Sequence, residues 1–396
     1  MNYQSFYKMT NTIQNYDWGS KTAMQNLFSF QNNSAQRQAE LWMGAHPNGC
    51  SLLLIEGELT KLSDFIAQDP QLILGEKTAD EFGQLPYLFK VLAAEKALSV
   101  QVHPNKQQAQ EGFDKENQLG ISCNAFDRNY KDSNHKPEVV FALTEYQAMN
   151  GFRSPAEILK HFQLLNILEL EQLVEAFSDN LTEDGLQTFF QVMLLLEGEH
   201  KMNALQALSI YAKNNLYNPL FHLIADLETQ HPGDIGLFSP LMLNVLTLQA
   251  GEAMFLDACT PHAYIKGTGL EIMANSDNVL RAGLTPKYID VPELVANTIF
   301  TSVMTENLLL KEKSEEGWQN YIVPVPDFKF SVADNVSELN VKVNSAEIVF
   351  AVDSQVRLNH RNGSTITIKK GESVFIPAYV DHYQVTTSGQ LARAYN

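Results

Sequence analysis

The sequence predicts a mainly β protein with an α-helical insertion, organised as two jelly-roll β domains and one helical domain. Three observations point there. Short apolar runs such as LSVQVH, PEVVFAL, EAMFLDA, EIVFAV, STITIKK and ESVFIP lie on both flanks of the chain, separated by Gly, Pro, Asn and Asp, and read as strands. Residues 155–230 are instead rich in Leu, Gln, Glu and Ala at helical spacing. At 396 residues the chain also exceeds what one ordinary core serves, so two or three domains are expected.

The helical block opens on Ser154-Pro155-Ala156-Glu157, with Ser at the N-cap, Pro at the first helical position and Glu where it closes a capping box. The run from Glu157 to Phe177 repeats apolar residues three and four apart. LQTFFQVMLLL and MNALQALSIYAKNN continue the pattern until His231-Pro232-Gly233-Asp234 breaks it. The expected division is therefore 154–235 helical, 1–153 with 236–312 a first β domain, and 313–396 a C-terminal jelly roll. An internal echo supports two related β modules. Gly251-Glu252 leads into AMFL and then His262, and Gly371-Glu372 leads into SVFI and then His382, at the same interval. A repeated turn–strand–loop–His unit suggests a duplicated cupin-like module. His382 has no QVH partner upstream in its own half, so the second copy is expected to lack a metal.

Hydrophobic residues at 44% and charged residues at 19% describe a globular chain. No stretch approaches the twenty apolar residues of a membrane span, and the N-terminal segment lacks the basic-then-apolar pattern of a secretory signal. Three scattered cysteines without a CxxC pair fit neither a disulfide framework nor a thiolate metal site, so a cytoplasmic location is expected. A net charge of −18 argues against nucleic acid or an anionic membrane as partners. Any phosphate must then be held by a few local cations, and a monomer acting on a small molecule is the expectation.

Four residues suggest a metal site. In LSVQVHP, Gln101 and His103 are two apart on a strand and face the same side. Glu138 starts the strand EVVFAL, where a buried carboxylate needs a cation or hydrogen bonds. His262 lies in Thr-Pro-His-Ala-Tyr at the end of another strand. Together they offer four N/O ligands suited to Zn²⁺. Downstream, Glu271, Asn275, Ser276, Asp277, Asn278, Arg281 and Lys287 crowd a short polar stretch. Arg281 and Lys287 supply the cations that the acidic chain otherwise lacks.

Tyr130-Lys131-Asp132-Ser133-Asn134-His135-Lys136-Pro137-Glu138 resembles the YxDxNHKPE signature of type I phosphomannose isomerases. His262 to Lys287 resembles that family's second signature at every fixed position. Gln14–Gly19, Glu40–Gly44 and Leu98–Pro104 match further motifs in the same order, so the resemblance covers about residues 8–300. It implies one Zn²⁺ per chain on Gln101, His103, Glu138 and His262, and an essential Arg281. It also places Glu271, Lys287, Trp18, Ser99 and Lys136 at active-site positions. The implied reaction interconverts mannose 6-phosphate and fructose 6-phosphate through a cis-enediol. Glu271 is the first choice of proton carrier, Lys136 the second and a water on the metal the third; Lys287 and Ser99 would hold the phosphate. Two rival readings share these residues. A cupin iron enzyme would need only two His and a carboxylate, and a non-catalytic sugar-binding protein would need no base.

Overall fold

The computed structural model describes residues 3–396. Strands β1 (Tyr7–Thr10), β2 (Thr12–Gln14), β3 (Glu40–Met43), β4 (Leu52–Ile55), β5 (Glu58–Lys61), β6 (Tyr87–Ala94) and β7 (Val100–Val102) precede the helical insertion, as do β8 (Glu138–Ala142) and β9 (Tyr146–Phe152). After it come β10 (Leu243–Leu248), β11 (Ala253–Leu256), β12 (His262–Ala274) and β13 (Leu280–Gly283). One antiparallel sheet runs β10-β9-β12-β6-β3-β2, with β7, β8, β11 and β13 attached beside it.

The long strand β12 organises this sheet. Its first part, from His262, pairs with β9 and β7, and from Gly267 onward it pairs with β6 and, further along, also β8. The change of direction falls at Gly267, whose φ of 132° belongs to glycine and whose added Cβ would stand 2.6 Å from the Glu145 carbonyl oxygen.

Strand alternation gives the sheet two unlike faces. Leu41, Met43, Phe89, Val91, Val139, Phe141, Leu270 and Ile272 point into an apolar core shared with Phe330, Phe350 and Phe375 of the C-terminal module. Glu40, Trp42, Leu88, Lys90, Leu92, Glu138, Glu271 and Met273 line a cavity on the opposite face.

The C-terminal sheet contains Lys329–Lys342, Glu347–Ala351, Ser373–Ile376 and His382–Tyr395. It also takes in β1, β4 and β5 from the opposite end of the chain, because β1 pairs with Ser373–Ile376 on one edge and β4 on the other. The stretch 1–153 is thus split between the two sheets. The internal echo is reproduced bond by bond. Gly251 donates to the Ala142 carbonyl and Gly371 to that of Ala351. Glu252 accepts from the Gln249 amide, as Glu372 does from that of Lys369. Both glycines have positive φ.

Between β9 and β10 lie the helices Pro155–Leu165, Glu171–Ser178, Glu183–Leu194, Gly198–Asn214 and Pro219–Gln230, followed by the short Ser239–Met242. The Ser154–Glu157 capping box forms. The run from Glu157 to Phe177 is divided at Asn166, which takes φ 46° and caps the first helix. Six helices in the β flanks went unread: Ala23–Phe28, Leu62–Ile66, Pro70–Leu74, Glu76–Phe82, Val291–Ala296 and the long Lys106–Gln118, capped by Asn105 and Gln108. Among the described residues no helix is long and apolar enough to cross a membrane.

Candidate active site

Three strand ends meet at one rim of the sheet that β12 organises. β7 hands over to His103, β8 begins at Glu138 and β12 begins at His262. Side-chain donor atoms of these three buried residues lie within 4.8 Å of one another. Gln101 pairs with His262 on one side and Arg281 on the other, so register alone sets His262, Gln101 and Arg281 in one cross-strand row.

The hydrogen bonds show what this nest lacks. His103 Nδ1 lies 2.6 Å from the Asn278 carbonyl and His262 Nδ1 lies 2.9 Å from that of Thr260. A carbonyl only accepts, so each Nδ1 carries a proton, and in the neutral ring Nε2 then presents a lone pair. Those Nε2 atoms are buried with no hydrogen-bond partner, and they face Glu138 oxygens at 3.4 and 3.6 Å. Lone pairs aimed at a carboxylate call for a cation between them. The fixed tautomers are those of metal-ligating imidazoles whose far nitrogen is held by a second partner. Burial, then Lys136, lowers the His103 pKa to about 4, which keeps the ring neutral and able to ligate. Burial pushes the Glu138 carboxyl up, but Lys136 and His103 outweigh it and hold the group well below the usual carboxylate range.

The cavity beside this nest has a volume of about 890 Å³. Lys136 Nζ lies 3.0 Å from Glu138 Oε1 on its wall. Glu271 is buried two positions along β12 from Met273, the residue opposite Glu138, and lies 2.7 Å from Lys90 Nζ. Burial raises the Glu271 pKa; Lys90 opposes that shift, while Glu138 and Glu40 add to it.

Arg281 is half-buried, and among the described residues its side chain has no ion-pair or hydrogen-bond partner; burial lowers its pKa. Lys287 is exposed and lies outside the cavity wall. Its pKa is lowered by burial, then by Arg281 and Lys131. These three form an unneutralised basic group. Ser99 is half-buried just ahead of β7, and Trp18 packs behind the wall against Tyr16 at 5.7 Å. The aromatic rings that reach the cavity are those of Tyr16, Trp42 and Tyr264.

Sequence reasoning passed over Lys90, Glu40, Trp42, Asp132, Asn278 and Tyr264 as site residues. Tyr264 donates to Glu138 at 3.2 Å, and Lys90 also reaches Glu40 at 3.7 Å. The Asn278 amide binds the backbone at Lys131, Asp132 and Asn134 while its carbonyl holds His103. One signal was readable: Lys90 is the only charged residue in YLFKVLAA, where a lone lysine needs a buried partner.

A two-histidine, one-carboxylate nest on a cupin-type β scaffold, opening into a polar cavity, defines a metal-binding cupin. Family models agree in three pieces. The phosphomannose isomerase type I catalytic domain matches residues 6–155, the helical insertion domain of that type matches 165–243, and the mannose-6-phosphate isomerase cupin domain matches 318–396. The chain belongs to the type I phosphomannose isomerase family. The mannose-6-phosphate isomerase of Escherichia coli (strain K12) is 45% identical over 391 residues, 98% of this chain and 99% of that one. The Homo sapiens enzyme is 37% identical over 405 residues, 94% and 93% of the two chains. A crystal structure of zinc-bound mannose 6-phosphate isomerase superposes with a TM-score of 0.94 at 44% identity, covering 99% of this chain and 100% of that one.

Proposed function

We infer that this chain is a zinc-dependent isomerase interconverting mannose 6-phosphate and fructose 6-phosphate, with Gln101, His103, Glu138 and His262 as the metal ligands. The observation that carries the reading is the pair of buried, unpartnered Nε2 lone pairs facing Glu138 in a chain so similar to curated isomerases. When bound there, zinc supplies Lewis acidity toward the sugar oxygens.

The remaining work falls to side chains. Moving a hydrogen between C1 and C2 requires a base that can give the proton back on the neighbouring carbon. Glu271 fits: it is buried on the cavity wall, its raised pKa favours return of the proton, and Lys90 fixes its carboxylate. Lys136, beside Glu138, is the second choice of carrier. Arg281 lies in the row of Gln101 and His262, where its unpaired guanidinium offsets negative charge developing on the enediol oxygens. Lys287, with Lys131 and Ser99, grips the phosphate. That local grip reconciles an anionic substrate with a chain of net charge −18.

A coupled assay is the test. Turnover of mannose 6-phosphate should vanish on prolonged chelation and return with added zinc, and Glu271→Gln should lose C2 proton exchange with solvent. Activity that persists through complete zinc removal would sink the metal role. Undiminished exchange in Glu271→Gln would move the proton to Lys136.

A further inference from the structure

Glu138 and Lys136 both line the cavity, whereas the intervening Pro137 and the preceding His135 do not. His135 turns to the opposite side, where Nε2 donates to the carboxylate of Asp327, at 3.0 Å from each oxygen. Asp327 is 2% exposed, and among the described residues its side chain touches no polar group but this imidazole. The two residues belong to different parts of the molecule: His135 to the segment matching the catalytic domain, Asp327 to the start of the C-terminal module.

Both ends of the bond are rigidly mounted. Asp327 follows Pro326 and precedes Phe328, which is fully buried in the shared core. From there the chain enters the strand bearing Phe330, packed 5.5 Å from Phe141 of β8. On the other side Asn134 donates to the Asn275 carbonyl, and Pro137 accepts from the Ala274 amide. A buried carboxylate given a single partner is costly to keep unless that partner is held in place.

We propose that Asp327 is a positioning residue for the active site. By tethering His135 outward, it fixes the alternation that turns Lys136 and Glu138 into the cavity. The C-terminal module thereby becomes part of the catalytic apparatus, although none of its residues lines the cavity. The proposal rests on the isomerase reading, in which Glu138 ligates zinc and Lys136 faces substrate.

The test uses the full-length zinc-loaded protein with Asp327→Ala, Asp327→Asn, His135→Ala and the double alanine variant. Asp327→Ala should lower kcat about tenfold and weaken zinc binding, measured by competition with a chromophoric chelator, by about the same factor. KM should change less than kcat, because Lys287 and Ser99 of the phosphate grip lie outside the segment that His135 anchors. Asp327→Asn, which keeps the shape and one acceptor oxygen, should recover most of both losses. The double variant should be no worse than either single one, since both remove the same tether.

A fall in Tm with unchanged kcat and zinc affinity per folded molecule would overturn the proposal, as would losses that add in the double variant. If Asp327→Ala does not fold, His135→Ala decides: wild-type kcat and zinc affinity there refute the tether. A wild-type protein inactive on mannose 6-phosphate strikes the functional reading instead, whereas an active wild type with unaffected variants strikes only the tether.

Discussion

Lys90 lies in the middle of β6, a strand in which every residue is buried, and its ammonium sits between Glu271 at 2.7 Å and Glu40 at 3.7 Å. Its pKa is raised: burial lowers it, but the two carboxylates more than offset that, so the group stays charged. Removing one partner of a buried ionic group costs far more than the group's net contribution, because the remaining charges are left without compensation. Lys90→Met should therefore destabilise the protein by about 3–5 kcal/mol in urea titrations, although methionine fills nearly the same space. A loss near zero would show that Glu40 and Glu271 share a proton and need no cation. Lys90 also marks a limit of reading residues singly. Its charge is plain in the sequence, but its partners lie on β3 and β12, and only strand pairing brings them within reach.

At the scale of elements, the helix Lys106–Gln118 supports the loop that carries Lys131 and Lys136. Gly112 faces Tyr130 so closely that an added Cβ would stand 2.2 Å from the ring. The ring is itself held by Glu293 and Asn297, so it has little room to retreat. In an exposed helix Gly→Ala stabilises by about 1 kcal/mol. Here overpacking, at about 1–3 kcal/mol, opposes and exceeds that gain. Gly112→Ala should thus lower the urea midpoint, and a raised midpoint would mean that the helix shifts freely. The helices of the insertion were legible because their caps and periodicity are local, as at Ser154 and Glu157. Lys106–Gln118 was missed because it is polar on most of its surface, burying only Ala109, Gly112 and Glu116.

At the scale of the whole molecule, the two β sheets share one apolar core. Phe89 and Phe141 of the catalytic sheet meet Phe330 and Phe350 of the C-terminal one. β1 closes the chain on itself by pairing with a strand near the other terminus. Domains that share a core do not unfold separately. Calorimetry of the zinc-loaded protein should show the two β modules melting in one transition, and chelation should lower its midpoint, since only the folded chain assembles the ligands. Two resolved transitions for the β modules would contradict a common core. The expected division placed all of 1–153 in the catalytic unit. In the structure β1, β4 and β5 extend the opposite sheet, a long-range pairing that no local pattern reports.

Alternation, caps and ligand-type spacing are properties of neighbouring residues, and they suffice for many of the strands, the helical insertion and the candidate ligands Gln101, His103, Glu138 and His262. The row of His262, Gln101 and Arg281, the buried Lys90 pairings and the Asp327–His135 contact each depend on strand register or on contacts between sheets. Register is set by the summed burial of whole strands and by where loops close, so those contacts exist only once the chain has folded.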